Sequence, residues 1–113
     1  MHEMSLMASI FDIIGRNLEA YPGARVKKVK LVVGAMTNVV PDAMQMAFEA
    51  MVRGTPAEGA ELTIEEVPLT ARCHECKWQG EIEEYRFFCP ACSSPQLELL
   101  TGRELYIESL EVE

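Results

Sequence analysis

Four cysteines in two closely spaced pairs constrain this chain more than any other feature of its sequence. The pairs are Cys73-x-x-Cys76 and Cys89-x-x-Cys92, and twelve residues separate them. Two cysteines that flank two residues can wrap a tight turn, and two such turns supply a tetrahedron of thiolates about 2.3 Å from a zinc ion. Tetrahedral sulfur sites select zinc or iron. The spacing therefore predicts one metal centre with these four cysteines as its ligands.

Disulfide bonds, a redox pair and mononuclear iron are the alternative uses of the four cysteines. Disulfides could pair them in three ways. The N-terminus has no basic region followed by a hydrophobic stretch, so we expect no export and a reducing cytoplasm, where thiols stay reduced. Duplication of the motif argues against a thioredoxin-like site, whereas a rubredoxin-like iron site stays open. Because cysteine fills all four positions, zinc would have no open site for a substrate, and we interpret the metal as structural.

The charge balance bears on the partners of the chain. It has 113 residues, the length of one domain or of one domain with a small metal-stabilised appendage. Its 10 basic and 18 acidic side chains give a net charge of −8. That charge opposes attraction to phosphate backbones and anionic lipid, and the longest apolar runs are too short to span a membrane. We therefore expect neither nucleic acid nor membrane as a partner.

The residues on either side of the cysteines follow helix and strand periodicities. The pattern predicts a helix over 4–20 with Ser5 as its cap, a strand over 25–33, a helix that begins at 41–42 and ends before 54, a strand over 61–67, and a last strand after 102 with a kink near 108–109. From Leu69 to about Leu100 the large apolar residues become scarce. We therefore predict an α/β lobe made from both ends of the chain and interrupted by a cysteine module.

Two histidines could take part in metal chemistry. His2 offers the α-amine of Met1, its own backbone amide and its imidazole in one connected strip, which favours Ni(II) or Cu(II) in planar geometry. On this motif alone, an incidental histidine near the N-terminus stays the more common interpretation. His74 lies inside the first cysteine pair. We expect it to be an exposed turn residue, with metal ligation or pH sensing as the alternatives.

The motifs taken together resemble one known family. Met1-His2-Glu3-Met4-Ser5 at the start, the two cysteine pairs and the closing segment 102–112 resemble the HypA/HybF family, whose members are nickel-insertion accessory proteins for [NiFe] hydrogenases. The resemblance covers the full chain in length and motif order. It implies an α+β fold with two helices packed on a three-stranded mixed sheet and an inserted four-cysteine module like a zinc ribbon. Residues 1–68 and 102–113 would form a nickel-binding lobe, and residues 69–101 a zinc-binding lobe.

The resemblance also implies a function and a set of site residues. The chain would be a nickel metallochaperone and not an enzyme, with Zn²⁺ as a structural ion and Ni²⁺ as its cargo. Met1 and His2 match the nickel site of the family, and Glu3 lies beside it. Asp42 matches an acidic position near that site, although its place at a helix start gives it a plainer role as an N-cap.

The partners that the resemblance implies are a nickel-handling GTPase of the same maturation system and the [NiFe] hydrogenase large subunit. We expect a cytoplasmic monomer or weak homodimer. The alternative function is a zinc-ribbon module for protein interaction, in which His2 is incidental.

Overall fold

The structure, a computed structural model, describes residues 2–113, with the side chain of His2 outside the described part. The elements follow in the order α1 (His2–Leu18), β1 (Val26–Gly34), a 3₁₀ turn (Ala35–Thr37), α2 (Pro41–Met51), β2 (Glu61–Val67), β3 (Thr70–Cys73), β4 (Gln79–Glu81), β5 (Leu97–Thr101) and β6 (Leu105–Val112). The strands form two sheets, with the orders β2-β1-β6 and β4-β3-β5. The chain divides into two compact units: residues 1–32, 39–65 and 106–113 form the first, and residues 33–38 and 66–105 form the second.

Both helices belong to the first unit, and each buries one stripe of apolar side chains. The buried residues are Met7, Ile10 and Ile14 in α1, and Met44, Ala47 and Phe48 in α2. Their spacing of three or four residues is that of one helix face. The rings of Phe11 and Phe48 lie 5.7 Å apart and join the two helices. Neither of the described helices has the length and apolar character needed to cross a bilayer.

The start of α1 differs from the prediction. The helix begins at His2, so Ser5 lies inside it and is not its cap. The carbonyl of Ser5 accepts a hydrogen bond from the Ser9 hydroxyl at 3.3 Å. Glu3 lies in the first turn, where a carboxylate interacts favourably with the positive end of the helix dipole. The helix therefore extends almost to the N-terminus.

The sheet of the first unit is mixed, as predicted. Arg25 and Glu113 exchange two backbone hydrogen bonds at the outer ends of β1 and β6, which is the pairing of antiparallel strands. Between β1 and β2, Lys28 pairs with Glu61, and the Lys30 ammonium pairs with the Glu65 carboxylate at 3.1 Å. The residue numbers of the paired side chains rise together along both strands, as they do in a parallel pair. The central strand is thus parallel to one neighbour and antiparallel to the other. This arrangement confirms the predicted fold class.

The second unit contains the smaller sheet, with β3 at its centre. β3 pairs antiparallel with β4 and with β5. Its hydrophobic core cluster consists of Leu69, Ala71 and Ile82, and the partly buried side chains packed against them are Met36, Trp78, Leu97 and Leu99. A core of three buried residues is small for an independently folding module. The second unit therefore needs a further source of stability.

Gly34 at the end of β1 tolerates no side chain. An added Cβ would overlap the carbonyl group of Gly102 and stand 2.7 Å from the backbone nitrogen of Arg103. We predict that Gly34→Ala lowers the free energy of unfolding by about 1–3 kcal/mol, as measured by urea denaturation, because the clash is with backbone and not with a mobile side chain.

Gly15 provides the matched control for Gly34→Ala. It lies inside α1, and an added Cβ would meet nothing within 4 Å. Gly15→Ala should raise the free energy of unfolding by about 0.5–1 kcal/mol, because alanine restricts the unfolded chain. A Gly34→Ala variant as stable as the wild-type protein would contradict the described approach of the two segments.

Candidate metal centre

Strand β3 and the connection between β4 and β5 bring the four cysteines together. Cys73 is the last residue of β3, Cys76 lies in the turn that follows, and Cys89 and Cys92 lie in the connection. Their four sulfur atoms all lie within 4.8 Å of one another. In the described part of the chain they are the only group of three or more candidate ligands that converges in this way. The predicted cluster of four cysteines is therefore present.

The two Cys-x-x-Cys turns have the same backbone hydrogen bonds. In each turn, the N–H of the first cysteine donates to the carbonyl five residues further on. Cys73 donates to Trp78 at 2.7 Å, and Cys89 donates to Ser94 at 2.8 Å. The residue after the second cysteine, Lys77 or Ser93, donates back to the carbonyl of the first at 3.1 or 2.8 Å. Lys77 and Ser93 both have left-handed φ angles, 68° and 64°. The turns are therefore two equivalent halves of one site.

The distances between the sulfur atoms test whether a metal ion fits. The Cys73 and Cys92 sulfurs are 3.7 Å apart, and the Cys76 and Cys89 sulfurs are 3.4 Å apart. A tetrahedron with metal–sulfur bonds of about 2.3 Å has edges of about 3.8 Å. All four cysteines are free thiols, and these separations are far longer than a disulfide bond of about 2.05 Å. The four residues fit a single tetrahedral ion.

The electrostatics of the cluster require a cation if all four sulfurs are to ionise together. The backbone N–H of Cys76 donates to the Cys73 sulfur at 3.5 Å and lowers the pKa of that thiol to about 7. The amide of Ser94 acts to lower the pKa of Cys92, but burial and the neighbouring cysteine side chains outweigh it and raise that pKa to about 12. A bound metal ion supplies the positive charge that would hold four crowded thiolates.

His74 is an exposed turn residue, as predicted. Its side chain is 58% exposed, and its Nε2 lies 3.9 Å from the Glu98 carboxylate. Glu98 is held more closely by Arg72, at 2.7 Å, and the hydrogen bond from Arg72 lowers the pKa of the Glu98 carboxyl group. His74 does not belong to the converging group of ligands. The centre is therefore an all-cysteine site.

The N-terminal site residues are only partly described. Met1 and the side chain of His2 lie outside the described residues. The carboxylate of half-buried Glu3 accepts the N–H of Val40 at 3.5 Å. Asp42 is exposed and lies in the first turn of α2. The prediction that Asp42 is the N-cap is wrong, because Val40 is the cap residue and makes no side-chain cap hydrogen bond.

Two residues that support the cysteine turns were not predicted from the sequence. Ser94 is a buried polar residue. Its carbonyl accepts the N–H of Cys89, and its hydroxyl accepts the N–H of Gln96 at 3.1 Å. The ring of Trp78 covers Gly80, where an added Cβ would lie 2.7 Å from the indole. In the sequence, the position of Gly80 two residues after Trp78 is the one sign of this close packing, because only glycine leaves room for the ring.

Comparison with known proteins decides which family carries this arrangement. A family model described as "HypA: Hydrogenase/urease nickel incorporation, metallochaperone, hypA" matches residues 1–112. The chain belongs to the HypA family. The resemblance inferred from the N-terminal, cysteine and C-terminal motifs is thus confirmed. HypA membership covers both compact units of the chain and not the cysteine module alone.

Full-length relatives support the assignment to the HypA family. The chain is 45% identical over 113 residues to the hydrogenase maturation factor HypA of Desulfitobacterium hafniense (strain DSM 10664 / DCB-2), with 100% of this chain and 99% of that protein covered. It is 42% identical over 113 residues to the hydrogenase maturation factor HypA of Geotalea uraniireducens (strain Rf4), with both chains covered completely. The similarity therefore extends from end to end.

Two solved structures share the fold. One, described as the solution structure of HypA protein, matches with a TM-score of 0.71 at 20% identity and covers 100% of this chain and 97% of that one. The other is the solution structure of the Ni metallochaperone HypA from Helicobacter pylori, with a TM-score of 0.64, 19% identity and coverage of 98% and 97%. At these identities the likeness establishes the HypA fold.

Proposed function

We propose that this chain is a nickel metallochaperone that binds Ni(II) at its N-terminus and delivers it to the large subunit of a [NiFe] hydrogenase during maturation. The observation that carries the proposal is the match of the HypA family model, a model of nickel incorporation, from residue 1 to residue 112. The match includes the N-terminal Met1-His2-Glu3 segment. The proposed role is that of a carrier and not of an enzyme.

The proposed nickel ligands are the α-amine of Met1 and the amide and imidazole of His2. These three nitrogens form fused chelate rings that suit a planar Ni(II) ion and leave one position open for transfer. Helix α1 begins at His2, and the first N–H groups of a helix have no acceptor within it. Loss of the amide proton of His2 to the metal would therefore break no helical hydrogen bond.

Glu3 and Asp42 are proposed as acidic neighbours of the nickel ion. The Glu3 carboxylate accepts the N–H of Val40, and Asp42 follows two residues later in the chain. This contact supports a shared location for the two carboxylates beside the N-terminus. Negative charge near a bound Ni(II) ion favours binding without closing the open coordination position.

We propose Zn²⁺ as the ion of the cysteine centre, with a structural role. Zinc suits the four thiolates because it imposes no redox chemistry, and four cysteine ligands leave no open position. The three-residue core of the second unit is consistent with a module that depends on its metal. Residues 69–101 would then form the zinc-binding lobe, and residues 1–68 with 102–113 the nickel-binding lobe.

The proposed partners are those of a hydrogenase maturation system. They are a nickel-handling GTPase and the hydrogenase large subunit, met in the cytoplasm by a monomer or weak homodimer of this chain. Family membership in hydrogenase maturation supports the system, and the individual partners are our inference from it.

Adding one residue before Met1 tests the role of the α-amine. We expect Ni(II) affinity, measured by calorimetric titration of the zinc-loaded protein, to fall at least about tenfold, because the amine would leave the chelate strip. One residue added after Glu113 is the control and should leave the affinity unchanged. Equal nickel affinity in the two extended proteins would count against the α-amine as a ligand.

A further inference from the structure

An exposed group of aromatic side chains lies between β4 and the second cysteine pair. We call residues 83–88 the aromatic loop. It contains Tyr85, Phe87 and Phe88, whose exposed fractions are 53%, 38% and 61%. Aromatic side chains are enriched where proteins contact one another, because each buries a large apolar area at low entropic cost. Neither the metal centre nor the N-terminal site gives these three residues a role.

The aromatic loop is held in a defined conformation. The Tyr85 hydroxyl donates to the carbonyl of Ala35 at 3.0 Å, and the Arg86 guanidinium pairs with the Glu84 carboxylate at 3.0 Å. The rings of Tyr85 and Phe87 lie 6.4 Å apart. Glu84 and Tyr85 both have left-handed φ angles, 53° and 56°, a conformation that persists only where surrounding contacts impose it. The loop therefore presents a preorganised surface, which lowers the entropic cost of binding.

A cleft of about 420 Å³ opens beside Phe88. Ile82, Phe88 and Pro90 form an apolar wall of the cleft. Its charged lining residues are Glu81, Glu83 and Arg86, and Cys89 and Ser93 complete the lining. Ile82 is buried and forms part of the small core of the second unit. One wall of the cleft is therefore part of the core of this unit.

The charges of the cleft indicate the chemistry of its ligand. Within the described residues, the carboxylates of Glu81 and Glu83 have neither an ion pair nor a hydrogen-bond partner. The guanidinium of Arg86 is already paired with Glu84. Two uncompensated carboxylates beside an aromatic ring fit a lysine or arginine side chain. Its aliphatic stem can lie on the apolar wall while its charged end binds the carboxylates and the ring face.

We propose that the aromatic loop and this cleft form a docking site for a partner protein, with a segment that carries apolar and basic side chains as the occupant. Phe88 and the wall of the cleft bind the apolar groups, and Glu81 and Glu83 bind a lysine or arginine. The net charge of −8 steers such a basic segment toward the chain. The inference does not depend on nickel binding.

A peptide titration tests the docking site. The probe is an acetylated, amidated hexapeptide of alternating leucine and arginine, titrated into the ¹⁵N-labelled, zinc-loaded full chain. We expect saturable shifts of the amide signals of residues 81–90 and no saturable shifts with a hexapeptide of alternating leucine and glutamate. The Glu81→Gln/Glu83→Gln variant should bind the basic peptide at least about fivefold more weakly, because its cleft has lost both uncompensated charges.

Glu19→Gln/Glu111→Gln is the matched control, because it removes two exposed carboxylates from the first unit. It should leave the affinity for the basic peptide within about twofold of wild type. Equal weakening by both double variants, or shifts spread over the whole acidic surface, would reduce the binding to general charge attraction and overturn the proposal. Phe88→Ser keeps all charges and should also weaken binding; wild-type affinity in that variant would equally overturn it.

Discussion

Replacing Cys73 with serine is expected to remove the metal and unfold the second unit. Cys73 is fully buried at the end of β3, and its sulfur belongs to the cluster of four. Structural zinc contributes about 10–16 kcal/mol to the folding of small zinc modules, far more than three buried core residues can replace. A serine hydroxyl is not a ligand that zinc uses in structural sites. Removing one thiolate should therefore weaken zinc binding and lower the folding free energy of the second unit by a similar amount.

The measurement is zinc stoichiometry after gel filtration with a competing chelator, together with the dispersion of amide signals. We expect Cys73→Ser to retain well under one zinc per chain and to lose dispersion for residues 66–105. Signals of α1 and α2 should persist, because the first unit has its own buried residues, among them Met7, Met44 and Phe48. Chelation of zinc from the wild-type protein should produce the same change, and added zinc should reverse it.

Ala91→Ser is the matched control for Cys73→Ser. It introduces the same side chain at an exposed position inside the second cysteine pair without touching a sulfur. This variant should keep one tightly bound zinc and the wild-type spectrum. One zinc per chain at wild-type affinity in Cys73→Ser would show that the four sulfurs do not act as one ligand set.

Replacing His2 with alanine is expected to weaken Ni(II) binding at least about 100-fold, equivalent to about 2.7 kcal/mol. The variant keeps the α-amine and the amide but loses the imidazole that closes the second chelate ring. Loss of a group outside the direct ligands typically costs about 10–100-fold in metal affinity, so loss of a ligand should cost more. Zinc content should not change, because the cysteine centre contains no histidine.

The acidic neighbours and pH refine the same prediction. Glu3→Gln and Asp42→Asn should each weaken nickel binding about tenfold relative to wild type, which is a smaller loss than that expected for His2→Ala. Glu49→Gln, on the exposed side of α2, should have no effect. Affinity should fall steeply between about pH 8 and pH 6, because protons compete with the metal for the amine and the imidazole, and unperturbed groups of these two kinds titrate near 7.7–8.0 and 6.5. Unaltered nickel affinity in His2→Ala, measured calorimetrically at neutral pH, would exclude the N-terminal chelate.

The regular elements are accessible from the sequence where one face of the element is buried. The predicted strand over 61–67 has the observed ends, and the stripe of Met7, Ile10 and Ile14 is buried as its spacing indicates. In β6 the partly buried residues are Ile107, Leu110 and Val112, so the change of phase in the sequence is present in the burial pattern. Periodicity identifies such faces because one side of the element contacts water and the other contacts the core, so polar and apolar residues repeat with the period of the helix or strand.

Features that depend on contacts distant in the chain could not be predicted. The first turn of α1 includes Glu3, whose carboxylate meets the backbone of Val40, 37 residues away, and no local pattern reports that contact. Met36 packs on the core of the second unit, and its N–H donates to the carbonyl of Gly102 at 2.7 Å. Residues 33–38 therefore join the cysteine-bearing unit although they are far from it in sequence.

The cysteine cluster was predictable because metal ligation fixes both residue type and spacing, whereas the conformation of its turns was not. Glycine is the usual sign of a left-handed residue, but here Lys77 and Ser93 adopt that conformation. The hydrogen bonds back to Cys73 and Cys89 impose it. Convergence of four sulfurs overrides the local preference of the two residues, and sequence propensity alone does not reveal this.

The coordination of nickel in the zinc-loaded protein, with an unmodified N-terminus, tests the central proposal most directly. X-ray absorption at the nickel edge should report a planar ion with three nitrogen donors from the chain, an exchangeable donor at the fourth position and no sulfur, and this spectrum should be lost in His2→Ala. Nickel–sulfur scattering, or the same spectrum with and without His2, would contradict an N-terminal nickel site in this member of the HypA family.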